Sequence, residues 1–421
     1  MSFAKQFGND KKIINYDSYF SDIREKMLKG EKVSECRRCY ADEDLGLPSM
    51  RTRSMLDFVN TPEEVEVRRS WPRRGPKGLL TDLVKPQLEY LEIESGRFCN
   101  LKCRTCGPGL STSWDEDLNK SSEAVNNFYG TDLTWWRDVQ EHETTNNTLS
   151  LLTYEDCKNL REIKVTGGEP FLTDTFLKFI ENLVKWDIAK NIILDVFTNC
   201  SFFPKKKYLK ALPYFRAVML NLSLDAVEER SNFIRKKSKW ELTLKVATGW
   251  KKLACNNKNI GIKISHTISV LNVLYFTEFC KWAHTFFANK SETGWDDVTN
   301  IQSLRSPDRI SLIDHTIVYG PDYLSIRNFS DSKKEMILKN VYKQQKELIP
   351  WLKNKNKKII SDKVINVQAI DDIFSAIIII LKKKSNQSIE DTFLTKTEMF
   401  DNIRNENWRT VFPELAEIVD E

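Results

Sequence analysis

Apolar and polar residues along this chain alternate with two different periods, and the period switches repeatedly between about 90 and 300. A step of two marks a half-buried strand, and a repeat near 3.6 marks one face of a helix. "LEYLEIESG" (88–96) alternates and ends in Gly, predicting a strand that delivers the next segment from its C-terminal end. "LREIKVTGGEPFL" (160–172), "NIILDVFTNCS" (191–201), "AVMLNLSLDA" (217–226) and "IGIKISHTISVLN" (260–272) predict four more strands. "DDVTNIQSL" (296–304) predicts a sixth. Phe176, Phe179, Ile180, Leu183, Val184 and Trp186 recur at helical spacing after the second strand. Other helical patterns cover 202–213, 227–254 and 273–289. Strands that alternate with helices predict an α/β fold with parallel strands and right-handed crossovers. Beyond 305 the pattern turns helical. Met336, Ile337, Val341 and Leu348 precede Pro350 in 333–352, and 369–384 and 392–421 follow.

Length and charge narrow the class. A chain of 421 residues can bury a large core in two or three domains. The pattern divides it into an N-terminal extension (1–89), a strand-and-helix core (90–304) and a mainly helical C-terminal region (305–421). Its 64 Lys and Arg against 59 Asp and Glu leave a net charge of +5, too small to demand a nucleic-acid partner. The opening "MSFAKQFGNDKK" is polar, unlike a signal peptide. The apolar run "AIIIIL" (376–381) is far shorter than the roughly 20 residues that span a bilayer. The expectation is a soluble, cytoplasmic protein.

In that compartment nine cysteines point to metal or catalysis rather than a disulfide framework. Three of them, Cys99, Cys103 and Cys106, fall within "RFCNLKCRTCGP" (97–108) as C-x3-C-x2-C. Three thiolates on a four-iron cluster leave one iron without a protein ligand, where a small molecule can coordinate. A structural zinc site that borrows a distant fourth ligand, or three unrelated buried thiols, would have the same spacing.

"CNLKCRTC", followed one strand–helix unit later by Gly167-Gly168-Glu169, resembles the radical S-adenosylmethionine (SAM) superfamily over about 90–300. The position before the third cysteine, often aromatic in that family, is Thr105. The resemblance implies a partial (β/α)6, TIM-like barrel, with functional groups at the C-terminal strand ends. It implies a [4Fe-4S] cluster on Cys99, Cys103 and Cys106. SAM would chelate the fourth iron and be cleaved to methionine and a 5′-deoxyadenosyl radical that takes hydrogen from a substrate.

The same resemblance assigns SAM contacts. Gly167 and Gly168 would let the backbone approach the ligand, and Glu169 would accept from its ammonium group. Thr198 and Asn199 end the third strand near SAM in related proteins, although a simple strand-end turn fits too. Ser223 and Asp225 end the fourth strand beside the ribose. Asp225 could equally cap the helix that follows it. Arg235 would grip the SAM carboxylate, or else belong to a solvated basic face with Lys236, Lys237 and Lys239. Val270 and Asn272 end the fifth strand, where the family contacts adenine and methionine.

The flanks add a second cysteine pair. Cys36 and Cys39, in "SECRRCYADEDLGLPSMR" with Glu43, Gly46, Ser49 and Arg51, resemble the leader of poorly characterised twitch- or SPASM-related proteins, some from phages. The pair could hold an auxiliary iron–sulfur cluster or zinc, recruiting from Cys157, Cys200, Cys255 or Cys280 or from one of the four histidines, or serve a redox or structural role. The segment "RRSWPRRGPKG" (68–78) reads as a basic linker, and "KNKNKK" (353–358) as a loop. Trp135, Trp136 and His142 lie in an insertion (111–150) that could pack on the barrel or line the site. The expected activity is radical modification of a peptide or protein side chain. A nucleotide or RNA substrate, or a non-catalytic metal-binding scaffold, is the alternative. The family also implies a reduced flavodoxin- or ferredoxin-type electron donor.

Overall fold

The five alternating segments up to 272 form the strands β1 (Tyr90–Glu94), β2 (Glu162–Thr166), β3 (Ile193–Thr198), β4 (Ala217–Ser223) and β5 (Ile260–Ile268). A computed structural model describes residues 23, 26, 27, 29–47, 49, 51, 88–121, 148–287, 311–357, 367–384 and 390–421. The segment 296–304 lies outside the described residues, and the sixth strand, β6, is Ile313–Ile317. The sheet therefore runs on past residue 304, into the stretch expected to be mainly helical. All five pairings are parallel and the strand order is sequential from β1 to β6, so among the described residues β1 and β6 are the two edges. This is the open arrangement of a partial (β/α)6 barrel.

The pleat sorts the side chains. One face carries Ile163, Val165, Leu194, Val196, Leu220, Leu222, Ile262 and Ile264, all buried against helices. The register places Glu92, Lys164 and Asp195 side by side on the other face, and Phe197, Asn221 and Lys263 on a second row. Those polar groups pair with one another. Lys164 meets Glu92 at 2.7 Å, Lys263 meets Asp314 at 2.8 Å, and Asn221 donates to Asp195. Paired charges on this face satisfy the rule that a half-buried ion needs a partner.

Ten of the helices are α1 (Arg37–Glu43), α2 (Asp115–Lys120), α3 (Asp174–Lys185), α4 (Lys206–Ala211), α5 (Glu228–Ile234), α6 (Trp240–Asn256), α7 (Phe276–Phe287), α8 (Asp331–Lys357), α9 (Val367–Lys382) and α10 (Glu390–Arg404). In α3 the predicted apolar face is realised by buried Phe176, Phe179, Ile180 and Leu183. The helix expected over 227–254 is instead broken between α5 and α6. Lys237 adopts φ +78°, a left-handed conformation that no helix continues through, and the Ser238 N–H turns back to the Arg235 carbonyl at 2.9 Å. The break exposes two carbonyls that the helix would have used. Ile234 and Lys236 accept from the backbone N–H groups of Arg104 (2.7 Å) and Lys102 (3.1 Å) in the cysteine loop.

The C-terminal region covers this assembly. Val341, Leu348 and Leu352 of α8 and Ile373, Phe374 and Ile377 of α9 join the same core as the sheet. The run 353–357, expected as a loop, is the end of α8, which passes straight through Pro350. Burial of Leu348 and Leu352 on either side offsets the hydrogen bond that proline cannot make. Among the described residues no helix is long and apolar enough to cross a membrane.

Pro350→Ala restores the missing N–H and removes the ring's clash with the preceding turn. The expected gain is about 1–3 kcal/mol in urea unfolding. A loss of stability instead would mean that the packing of α8 requires the proline bend.

Candidate functional site

The cysteine loop leaves β1 through Ser95 and Gly96. The Ser95 N–H extends the ladder to the Thr166 carbonyl at 2.8 Å, and Gly96 turns the chain with φ +91°. Arg97 then staples the loop shut. Its Nε donates to the Pro108 carbonyl at 2.9 Å and its Nη2 pairs with Asp115 at 2.6 Å. Ser113 Oγ donates to the Cys99 carbonyl at 2.9 Å, Ser111 Oγ donates to the Leu101 carbonyl, and the Thr112 N–H reaches the Arg97 carbonyl at 2.9 Å. Cys99 and Cys103 are buried, Cys106 is half-buried, and all three pack around Leu101.

Gly167 and Gly168 press against that loop. A Cβ on Gly168 would lie 2.4 Å from the Phe98 carbonyl oxygen, and one on Gly167, whose φ is +105°, 2.7 Å from the Ser95 nitrogen. No other residue fits there. The Gly168 and Glu169 N–H groups donate to the Gly96 and Phe98 carbonyls at 2.6 and 2.8 Å. The close approach expected of the two glycines is thus made to the cysteine loop itself.

Glu169 is wholly buried and joins the ends of β2 and β3. Its carboxylate accepts from the Asn199 N–H (2.6 Å), the Phe171 N–H (3.3 Å) and Thr198 Oγ1 (3.1 Å). Burial pushes its pKa up to about 7, against the pull of those three donors. Asn199, fixed through its backbone, donates from Nδ2 to the Cys99 sulfur at 3.5 Å and to Asn100 Oδ1 at 2.8 Å. The β3 end is therefore more than a simple turn: it runs a chain of contacts from Glu169 to a cysteine sulfur.

Asp225, Arg235 and Asn272 form a second buried group. Arg235 Nη1 donates to Asp225 Oδ2 at 2.8 Å, and the Thr267 N–H donates to Asp225 Oδ1 at 2.9 Å. Asn272 Nδ2 donates to the carbonyls of Asp225 and Thr267, both at 2.8 Å. Asp225 does not cap the next helix, whose N-cap is Val227. Nor does Arg235 share the basic surface of its neighbours, because it is 8% exposed. Val270 is buried, its N–H donating to the Leu324 carbonyl at 3.0 Å, and half-buried Ser223 stands opposite Ser265 on the polar face of the sheet.

The three sulfurs sit in unlike surroundings. Cys103 and Cys106 share a hydrogen bond that lowers the Cys103 thiol to about 7, with Arg235 and Arg404 assisting against burial. The same bond and burial raise Cys106. Burial, then the neighbouring Cys103, raises Cys99. Burial works to lower the pKa of Arg235, and Cys103 and Asp225 outweigh it. Cys99 Sγ accepts from the Leu101 N–H at 3.5 Å as well as from Asn199, and Arg235 Nε is buried without an acceptor among the described residues. Donors turned on the sulfurs are what an anionic iron–sulfur cluster requires of its surroundings. Among the described residues no three His, Cys, Asp or Glu side chains gather tightly enough to share one metal ion. In a four-iron cube each thiolate holds a different iron, so its ligands need not meet at one point.

The second cysteine pair lies elsewhere. Cys36 and Cys39 are half-buried at the start of α1, which docks on the segment after β6. Tyr319 donates to Asp42, and its ring lies between the guanidinium groups of Arg38 (4.3 Å) and Arg327 (3.9 Å). The leader residues come together: Glu43 accepts from Ser49 Oγ and pairs with Arg51, while Gly46 turns with φ +74°. Cys157, Cys200 and Cys280 are fully buried in the apolar core, where burial raises all three thiols. Trp135, Trp136, His142 and the 68–78 linker lie outside the described residues.

The sequence reading missed the charged residues between the cysteines. Lys102 and Arg104 are 4% and 1% exposed, and their partners come from α2, α10 and Glu406. A charged pair inside so short a loop was the available signal; nothing local names its partners.

Two outcomes test this geometry. Gly168→Ala forces the Phe98 backbone to move, so a loss of about 1–3 kcal/mol is expected, along with poorer iron retention. Wild-type melting and iron content would contradict it. The folded Glu169 carboxyl keeps its proton to about pH 7, against 4.5 for an unperturbed one, so the folded state binds more protons within that window. Stability should fall as pH rises through it, by up to about 1.4 kcal/mol per pH unit. Glu169→Gln should remove this slope in urea unfolding of the cluster-free protein at pH 5 and 7.5. An unchanged slope would reject the assignment.

No family model matches the chain. It is 25% identical over 219 residues to the GTP 3′,8-cyclase of Campylobacter curvus (strain 525.92), covering 48% of this chain and 55% of that one. It is 24% identical over 218 residues to the GTP 3′,8-cyclase of Aliarcobacter butzleri (strain RM4018), with the same coverage. The chain thus spans about half the length of these relatives. Among solved structures, anSMEcpe with bound AdoMet and Cp18Cys peptide aligns at 17% identity and TM-score 0.35, covering 63% of this chain and 60% of that one. Streptococcus suis SuiB bound to S-adenosylmethionine aligns at 12% and 0.31, covering 68% and 50%. A three-cysteine loop of this spacing after the first strand, braced by a GGE turn after the second, is the arrangement that the resemblance to the radical SAM superfamily implies.

Proposed function

We propose that this chain is a radical SAM enzyme whose [4Fe-4S] cluster is held by Cys99, Cys103 and Cys106. The observation that carries the reading is the physical joining of the two motifs: Glu169 pins Asn199, and Asn199 donates to the Cys99 sulfur. A scaffold that only stored a cluster would have no need of that second motif. When bound, the cluster and SAM supply a 5′-deoxyadenosyl radical that takes a hydrogen atom from the substrate.

The chain's own residues bind and orient. Gly167 and Gly168 bring the β2 end against the loop, and Glu169 holds Thr198 and Asn199 beside it. Arg235, locked to Asp225, offers its buried Nε to a carboxylate, the SAM carboxylate in this reading. Asn272 steadies the Asp225 and Thr267 backbone, with Ser223 and Val270 completing the strand ends where SAM would lie. The helices after β6 cover the open side of the barrel or recruit the substrate. Cys36 and Cys39 hold an auxiliary cluster or zinc, or serve a redox or structural role. The electron comes from a reduced flavodoxin- or ferredoxin-type donor.

The substrate is a peptide or protein side chain, a reading that rests on the resemblance of the Cys36–Arg51 leader to twitch-type proteins. A nucleotide is the second reading, favoured by the GTP 3′,8-cyclase relatives.

Iron and sulfide content after anaerobic reconstitution, paired with a dithionite-driven assay for 5′-deoxyadenosine, tests the proposal. Wild type should carry about four irons on the loop, and C99A/C103A/C106A should lose them. Further iron lost in C36A/C39A would establish an auxiliary cluster. Added peptides should raise 5′-deoxyadenosine yield more than GTP does; the reverse would select the nucleotide. A wild-type cluster that never cleaves SAM would leave a scaffold.

A further inference from the structure

The C-terminal helix α10 and the turn after it grip the cysteine loop from outside the sheet. Arg104, between Cys103 and Cys106, sends Nη2 to Asp401 and, at 2.7 Å, to Glu406, and its guanidinium lies over the Phe233 ring at 3.9 Å. Lys102 pairs with Asp117 at 2.5 Å, and Arg404 Nε meets the other oxygen of the same carboxylate at 2.7 Å. Lys236, whose carbonyl holds the Lys102 N–H, closes the circuit on Glu406 at 2.8 Å. These partners lie up to 302 residues apart in sequence.

The network carries one more cation than anion: Lys102, Arg104, Lys236, Lys237 and Arg404 against Glu116, Asp117, Asp401 and Glu406, Glu116 bridging Lys102 and Lys237. The excess sits on Arg404. Its side chain is wholly buried between Trp114 (4.7 Å) and Phe400 (5.0 Å), and neither of its terminal nitrogens has an acceptor among the described residues. A buried cation in excess favours the more negative charge state of any redox group beside it.

We propose that Asp401, Arg404 and Glu406 are positioning residues of the cysteine loop. Asp401 and Glu406 fix Arg104, and with it Cys103 and Cys106; Arg404 acts through the Asp117–Lys102 pair and supplies the surplus charge that eases reduction. This rests on the reading that those cysteines hold a cluster. The C-terminal region is then a working part of the cluster site.

Full-length D401N/E406Q, R404Q and R404K proteins, reconstituted anaerobically beside wild type, test this by iron per chain, melting temperature and the midpoint potential of the cluster. D401N/E406Q should fold and lose at least half its iron. R404Q should keep its iron, because Lys102 still pairs with Asp117, yet show a more negative midpoint potential that R404K restores. Should D401N/E406Q fail to fold, the R404Q and R404K potentials decide the matter alone. Wild-type iron in D401N/E406Q together with a wild-type potential in R404Q would overturn the proposal. Wild type that binds no iron would instead refute the cluster reading on which it rests.

Discussion

A loop without regular secondary structure must find partners elsewhere for its backbone N–H and C=O groups, because each one buried and unpaired costs on the order of 1–3 kcal/mol. The cysteine loop is such a segment, and much of the architecture follows from satisfying it. Gly168 and Glu169 donate to its carbonyls from one side, and the broken end of α5 accepts its N–H groups from another. Ser111, Thr112 and Ser113 bind it back on itself. Three thiols are held in place because the backbone around them has few alternatives.

That constraint explains features that look unrelated. The glycine pair is small because carbonyl oxygens of the loop occupy the space where a Cβ would go. The helix after β4 stops at Ile234 because the next carbonyls are needed by Lys102 and Arg104. Arg235 turns inward at that same break, which is how a residue followed closely by three lysines comes to be buried on Asp225. The left-handed Lys237 pays for the arrangement locally.

Charge is treated with the same economy. On the polar face of the sheet, Lys164 with Glu92 and Lys263 with Asp314 neutralise neighbours across adjacent strands. Around the loop, by contrast, Arg235 and Arg404 retain buried nitrogens with no acceptor among the described residues. Cations with donor nitrogens left over beside thiols suit a site that receives anions, and would be costly in one that received nothing.

Local pattern made the sheet legible. Period-two alternation located β1 to β5, helical spacing located α3 and the C-terminal helices, and the cysteine spacing with its glycine pair picked out the chemistry, since each rests on sterics within a few residues. The sixth strand did not follow from pattern: β6 is the short segment Ile313–Ile317, whose Asp314, His315 and Thr316 give little alternation to read. The break after Ile234 was equally hidden, because 227–254 carries good helical spacing throughout and only the loop's demand for carbonyls ends the helix there. The passage of α8 through Pro350 was decided by burial on both sides of it. The pairing of Arg104 with Asp401 and Glu406 is the clearest case for tertiary structure. An ion pair between residues 297 positions apart leaves no periodic trace, and a buried arginine reads in sequence like an exposed one until the fold brings its carboxylates to it.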